Sequence, residues 1–186
     1  MRTRHLLLPS FVLLFLGSCS APPPAAPPPP DFRPTASVRE IMESIVDPSS
    51  DFIWDSIETS VDASGVKEKA PRTNEEWALV RHQAVAMTEA TNLLLIPGRH
   101  IAPAGSTADD PQVELAPDQI EALVNKDRQA WTQLAHGLYD AGMETVKAID
   151  ARDVQAYLTV GDHIDKACEK CHQTYWYPKR EEAKKE

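Results

Sequence analysis

Residues 166–178 read KACEKCHQTYWYP, and Cys168, Cys171 and His172 within them form a Cys-x-x-Cys-His. That spacing is the one that attaches a c-type haem. Side chains three and four residues apart share one face of a helix, so a single turn would present both thiols and the imidazole together. Upstream, Val154, Tyr157, Gly161 and Ile164 lead to Cys168, Cys171 and Tyr175 in steps of three and four. The period predicts a helix whose core-facing stripe carries the motif. Such a stripe needs further helices to cover it, and the rest of the chain is read for them.

Asp150 and Asp153 mark a tight turn before that helix. Before it, Ile120, Leu123, Val124, Trp131, Leu134, Leu138 and Ala141 form a stripe opened by Pro117, a residue tolerated at the first helical position. Residues 117 to 125 are also readable as a separate short turn. Thr73-Asn74-Glu75-Glu76 is a capping box, followed by Trp77, Val80, Ala84, Met87, Thr91 and Leu94. Pro97-Gly98 ends that helix, and 97 to 116 is a long loop. Ser37-Val38-Arg39-Glu40 is a second capping box, opening Val38, Ile41, Met42, Ile45 and Val46. Asp47-Pro48 is expected to stop it. A second piece from near Ser50 carries Ile53, Trp54, Ile57 and Val61, making a broken first helix; 62 to 72 is a connector. No strand pattern of useful length is seen. The expected architecture is an antiparallel up-down-up-down four-helix bundle, all-α, over 36–178, with a mixed-charge tail at 179–186.

The start of the chain is of another kind. Arg2 and Arg4 precede a short apolar run, Leu6 to Leu16, too short for a membrane span of roughly 20 residues. Residues 1–18 read as a secretory signal. Leu16-Gly17-Ser18-Cys19 resembles a bacterial lipobox, which makes Cys19 a candidate for lipidation. The Pro-rich stretch that follows, within 19–35, reads as an extended polyproline II stalk holding a domain off a membrane. The expected location is outside the cytoplasmic membrane, facing the periplasm on a lipid anchor, where c-type haem attachment takes place in bacteria.

Composition narrows the function. A formal charge of −9 argues against nucleic acid and suits a partner with a basic docking face. No nucleophile-plus-base arrangement, P-loop or dinucleotide fingerprint is present, so enzyme activity is not expected. For the Cys-Cys-His group, structural zinc would need four ligands, and no second Cys/His cluster exists in the mature chain. A thioredoxin-like dithiol would need a βαβ context. A surface disulfide is the remaining alternative. One covalently bound haem c is the expectation, with His172 as proximal iron ligand and its second ring nitrogen in need of a partner.

With this motif near the C-terminus of a helical bundle, the chain resembles the cytochrome c-prime family, the class II c-type cytochromes, over about residues 36–178. Class I members carry the motif near the N-terminus. The resemblance implies that low-spin members bind iron through a methionine on the first helix, whereas high-spin members place an apolar residue there. Many members pair through their first two helices, which implies a possible homodimer. Members often carry Arg or Lys four residues after the histidine. Trp176 stands there instead, and Tyr175-Trp176-Tyr177-Pro178 is expected to shield the haem edge.

In an antiparallel bundle the end of the last helix lies beside the beginning of the first. With about 1.5 Å rise per residue, Met42 should be level with His172. It is the candidate sixth ligand, with His100 of the loop as its rival. Met87, Met143, His136 and His163 lie too far along their helices, and His82 falls off its stripe. Arg39 and Arg99 are candidates for the haem propionates, and Trp54, Trp77 and Trp131 for core or pocket wall. The expected function is one-electron transfer with redox partner proteins. The alternatives are a five-coordinate gas-binding haem and a structural domain without haem.

Overall fold

The computed structural model describes residues 32–178. The expected signal at 1–18, Cys19, most of the expected linker at 19–35 and the expected 179–186 tail lie outside the described residues.

The chain enters through α1 (Val38–Ile41), a π-helical turn (Met42–Val46) and α2 (Asp47–Asp55), which follow one another without a break. Ser37 caps the first turn: its hydroxyl accepts the Glu40 N–H, while the Glu40 carboxylate accepts the Ser37 N–H at 2.8 Å. Pro48 does not end the helix as expected. Proline lacks an N–H and its ring collides with the carbonyl four residues back, here Ser44. Here Pro48 falls in the first turn of α2, directly after the π-turn, and the helix runs on to Asp55.

The connector expected at 62–72 is instead part of a hairpin. β1 (Glu58–Asp62) pairs antiparallel with β2 (Gly65–Lys69), with Val61 opposite Val66. Both valines are exposed, as is every residue of β2. The described residues are therefore mostly helical with one small sheet, not purely helical.

Next come α3 (Asn74–Leu94), α4 (Pro117–Lys126), α5 (Arg128–Ala151) and α6 (Val154–Tyr175). Thr73 and Glu76 form the second capping box. Asp127 separates α4 from α5 and caps the latter. Arg152, in the left-handed conformation at φ 51°, turns the chain into α6, whose first turn is capped by Asp153.

α5 packs along both α3 and α6, and α2 packs on α3. The first seam is made close by small residues. A Cβ placed on Gly142 would lie 2.2 Å from Thr88 Oγ1 and 3.1 Å from Thr88 Cβ. Thr88 is buried and its hydroxyl is committed to the Ala84 carbonyl at 2.7 Å.

α2 meets α6 sparsely, and the contact is concentrated at one end. There the Tyr157 hydroxyl lies 2.7 Å from Ser56 Oγ and donates to the Ile53 carbonyl at 3.2 Å. The Trp54 indole donates to the Gly161 carbonyl at 3.3 Å. Trp54 is thus half out in water, not in the core. At the opposite end the 97–116 loop closes the structure. His100 and Ile101 carbonyls accept the N–H groups of Val38 and Arg39, and the Leu115 N–H donates to the Trp176 carbonyl at 2.8 Å. The start of α1 and the end of α6 are thereby brought to one end.

Candidate functional site

At that end, between the first helical segment, α5 and α6, lies a narrow, mainly apolar crevice of about 20 Å³. Met42 and Val46 line it from the π-turn, Trp131 and Leu138 from α5, and Cys168, Cys171 and His172 from α6. The stripe that runs through Tyr157, Val160 and Ile164 is fully buried. It becomes half-buried at the two cysteines and the histidine, where α6 faces the crevice. The same helical face therefore serves as core at one end and as a lining at the other.

His172 is held from behind. Its carbonyl accepts the N–H groups of Trp176 at 2.7 Å and Tyr177 at 2.9 Å. This wraps both aromatic rings around the imidazole, each with its centroid 6.0 Å away. Burial pushes the imidazole below its ordinary pKa, with Asp47 and Glu169 pulling the other way. At neutral pH the ring is thus neutral, the form that can ligate a metal. Asp47, at the rim, has its carboxyl raised because part of its water is lost against the crevice, an effect partly offset by His172.

Both thiols are free. Burial raises Cys168 to about 11, aided by Asp47 and Asp165, and Cys171 to about 12. At pH 7 both are thiols, not thiolates, and thiolate is the form that binds metal and exchanges disulfides. Among the described residues no three His, Cys, Asp or Glu side chains gather as a ligand set for a bare ion.

These shifts carry a sign. A pKa raised by folding stabilises the fold below the unfolded value and stops doing so as pH climbs through the folded one. With both thiols free, the protein should therefore lose stability between the ordinary thiol range, near 8.5, and pH 11 to 12. Iodoacetamide at pH 8 should label Cys168 and Cys171 slowly in the folded chain and quickly in guanidinium. Peptide mapping reads this out; equal labelling in both conditions contradicts the burial assigned here.

The other residues singled out in the sequence go elsewhere. His100 is exposed and bonds Glu121 at 3.1 Å, outside the crevice lining. Arg39 donates to the Thr107 carbonyl at 3.1 Å, and Arg99 to the carbonyls of Leu93 and Ala36. Met87 is fully buried and accepts the Ser50 hydroxyl at 3.2 Å. His163 is tied to Glu144 at 2.7 Å. His82, His136 and Met143 are exposed. Trp77 is in the core at the far end against Tyr157, with ring centroids 6.1 Å apart. Of the tryptophans proposed as pocket wall, Trp131 alone is on the crevice, its indole donating to the Leu94 carbonyl at 3.1 Å.

No protein-family model, curated protein or solved structure matches this chain.

The site thus rests on its own chemistry. A haem brings four nitrogens to its iron and asks the protein for one or two axial ligands. Two neutral thiols, one neutral imidazole and one thioether around an apolar crevice fit that demand. Val46 and Asp47 were missed as site residues. The Asp47-Pro48 pair reads as a terminator by its composition, and a terminator is not expected to line a site.

Proposed function

We propose that this protein is a haem c carrier that transfers single electrons and belongs with the class II c-type cytochromes as an antiparallel four-helix bundle. The observation that carries the reading is the convergence of Met42, Cys168, Cys171 and His172 on one apolar crevice. When bound, the haem supplies a one-electron iron couple whose potential a methionine ligand raises.

The residues of the chain have separate tasks in this reading. Cys168 and Cys171 fix the group covalently through their sulfurs. His172 offers a neutral ring nitrogen, with its imidazole oriented by Trp176 and Tyr177. Met42 offers a thioether from the facing wall. Trp131 and Leu138 keep water from the crevice. A carrier of this kind needs little rearrangement between its two charge states, and a closed apolar site suits that need. A lipid at Cys19 and the Pro-rich linker would tether it on the periplasmic side, where redox partner proteins meet its acidic surface. Among the described residues no helix is long and apolar enough to cross a membrane. Pairing of two copies is a further part of the proposal.

The test uses the full chain made in a host that matures c-type cytochromes. Its ferric and ferrous spectra should be low-spin and carry the methionine-to-iron charge-transfer band. Met42→Ala should turn the iron high-spin and open it to carbon monoxide. A wild-type protein that is already high-spin and takes up carbon monoxide would favour the gas-binding alternative. A Met42→Ala spectrum unchanged from wild type removes Met42 from the iron and returns His100 to consideration.

A further inference from the structure

We propose that the Tyr177 hydroxyl and the Glu169 carboxylate form a latch that sets the rotation of the His172 imidazole, which makes both of them positioning residues of the site. The latch belongs to the bare chain; its effect on iron rests on the haem reading above.

A histidine ring has little torsional preference of its own. Rotation about the bond to the ring is broad and roughly two-fold, so the neighbours decide it. A metal-ligating histidine usually settles its rotation by donating the second ring N–H to a carboxylate or carbonyl. His172 does not. Among the described residues, burial and the charges of Asp47 and Glu169 act on the ring, with no hydrogen bond to either nitrogen. What bounds it is aromatic. The Trp176 and Tyr177 rings have their centroids 6.0 Å away, at interplanar angles of 57° and 63°.

Two rings can hold a third only if they are held themselves. Tyr177 is fixed at both ends. Its N–H donates to the His172 carbonyl at 2.9 Å, which folds the chain back on the last turn of α6. Its hydroxyl donates to Glu169 Oε2 at 2.5 Å, eight residues earlier. Glu169 precedes His172 by three residues and so shares its side of the helix. Between these two anchors the Tyr177 ring stands T-shaped to the imidazole.

The acceptor is fixed in its turn. Glu169 Oε1 takes the Gln173 amide at 2.7 Å, so both carboxylate oxygens are engaged. The Trp176 carbonyl accepts the Leu115 N–H at 2.8 Å, tying the turn to the 97–116 loop. Helix ends ordinarily fray; this one is tied down around its histidine. An imidazole held in this way keeps one orientation when the charge on a bound iron changes, as a one-electron carrier requires.

The test compares Tyr177→Phe, Glu169→Ala and Glu169→Gln in the full chain. The first keeps the ring and removes its anchor. The second removes the acceptor, and the third keeps an oxygen that can accept the hydroxyl. In chain made without haem, proton NMR reads the His172 ring signals, which the two neighbouring rings displace. Tyr177→Phe and Glu169→Ala should move those signals toward their unfolded-chain positions, and Glu169→Gln should leave them in place. A contact that serves stability alone would lower the urea midpoint and leave the ring signals of the folded protein unmoved. Wild-type His172 signals in Tyr177→Phe therefore overturn the latch.

The same variants made in the maturing host should keep the covalent haem by mass. Their ferric electron paramagnetic resonance should shift in Tyr177→Phe and Glu169→Ala, and match wild type in Glu169→Gln. Should the haem-free chain fail to fold, this second measurement decides, and an unshifted Tyr177→Phe overturns the proposal. A haem-bearing wild type with an unshifted Tyr177→Phe overturns the latch alone. A wild type without haem overturns the functional reading, while moved NMR signals still support the latch.

Discussion

A chain carrying Cys168→Ser and Cys171→Ser together is expected to lose all covalently held haem. Produced in a host that matures c-type cytochromes, denatured and extracted with acidic solvent, it should show the mass of the bare polypeptide and no residual colour. The unaltered chain should keep one haem through the same treatment. Serine keeps nearly the shape of cysteine but, carrying a hydroxyl in place of the thiol, cannot form the thioether. The fold should therefore persist while the attachment vanishes. Both thiols line the crevice beside His172, so each single substitution should leave one anchor and a weaker yield. A wild-type chain that shows no added mass removes the haem proposal. The zinc and dithiol readings are then next.

Gly142→Ala is the stability change of largest expected size. In an ordinary exposed helix interior, alanine stabilises relative to glycine by about 1 kcal/mol. Here the new methyl would sit 2.2 Å from Thr88 Oγ1, with Met87 Cε only 3.3 Å away. Thr88 is buried and its hydroxyl is bonded to Ala84, so it has nowhere inexpensive to turn. Overpacking of this kind costs about 1–3 kcal/mol, which outweighs the propensity gain. Gly137 is the control on the same helix. It is exposed, with nothing within 4 Å of the place a methyl would occupy, and Gly137→Ala should stabilise. Urea titrations of the two variants should move in opposite directions. A neutral or stabilising Gly142→Ala would show that the α3–α5 seam is looser than described.

The helices were legible because local and tertiary signals agree in them. The stripes through Trp77, Val80, Ala84, Met87 and Leu94 and through Tyr157 and Ile164 are buried as their spacing predicts. The capping boxes at Ser37 and Thr73 are formed at the expected starts. Pro48 misled because the rule for proline assumes an α-turn before it, and here a π-turn precedes it, with Pro48 in the first turn of α2. The hairpin escaped notice because period-two patterning records a buried face, and Val61 and Val66 both look outward. The available signal was the Ser64-Gly65 pair between them, a turn dipeptide. At the site, spacing along α6 was enough to gather Cys168, Cys171 and His172. It could not show that His100 spends its imidazole on Glu121, or that Asp47 faces His172. Those depend on where the 97–116 loop and the π-turn lie in space.

The β1–β2 ribbon rests on the helices only weakly, and β2 shows all five residues to water. Two strands alone are marginal in water, so its amides should exchange with deuterium by local opening, long before those of α3 and α5. Little folding free energy is at stake in its composition or length. Over generations it is the segment where insertions, trimmed turns and altered charges would be tolerated most readily, leaving the crevice at the other end of α2 untouched.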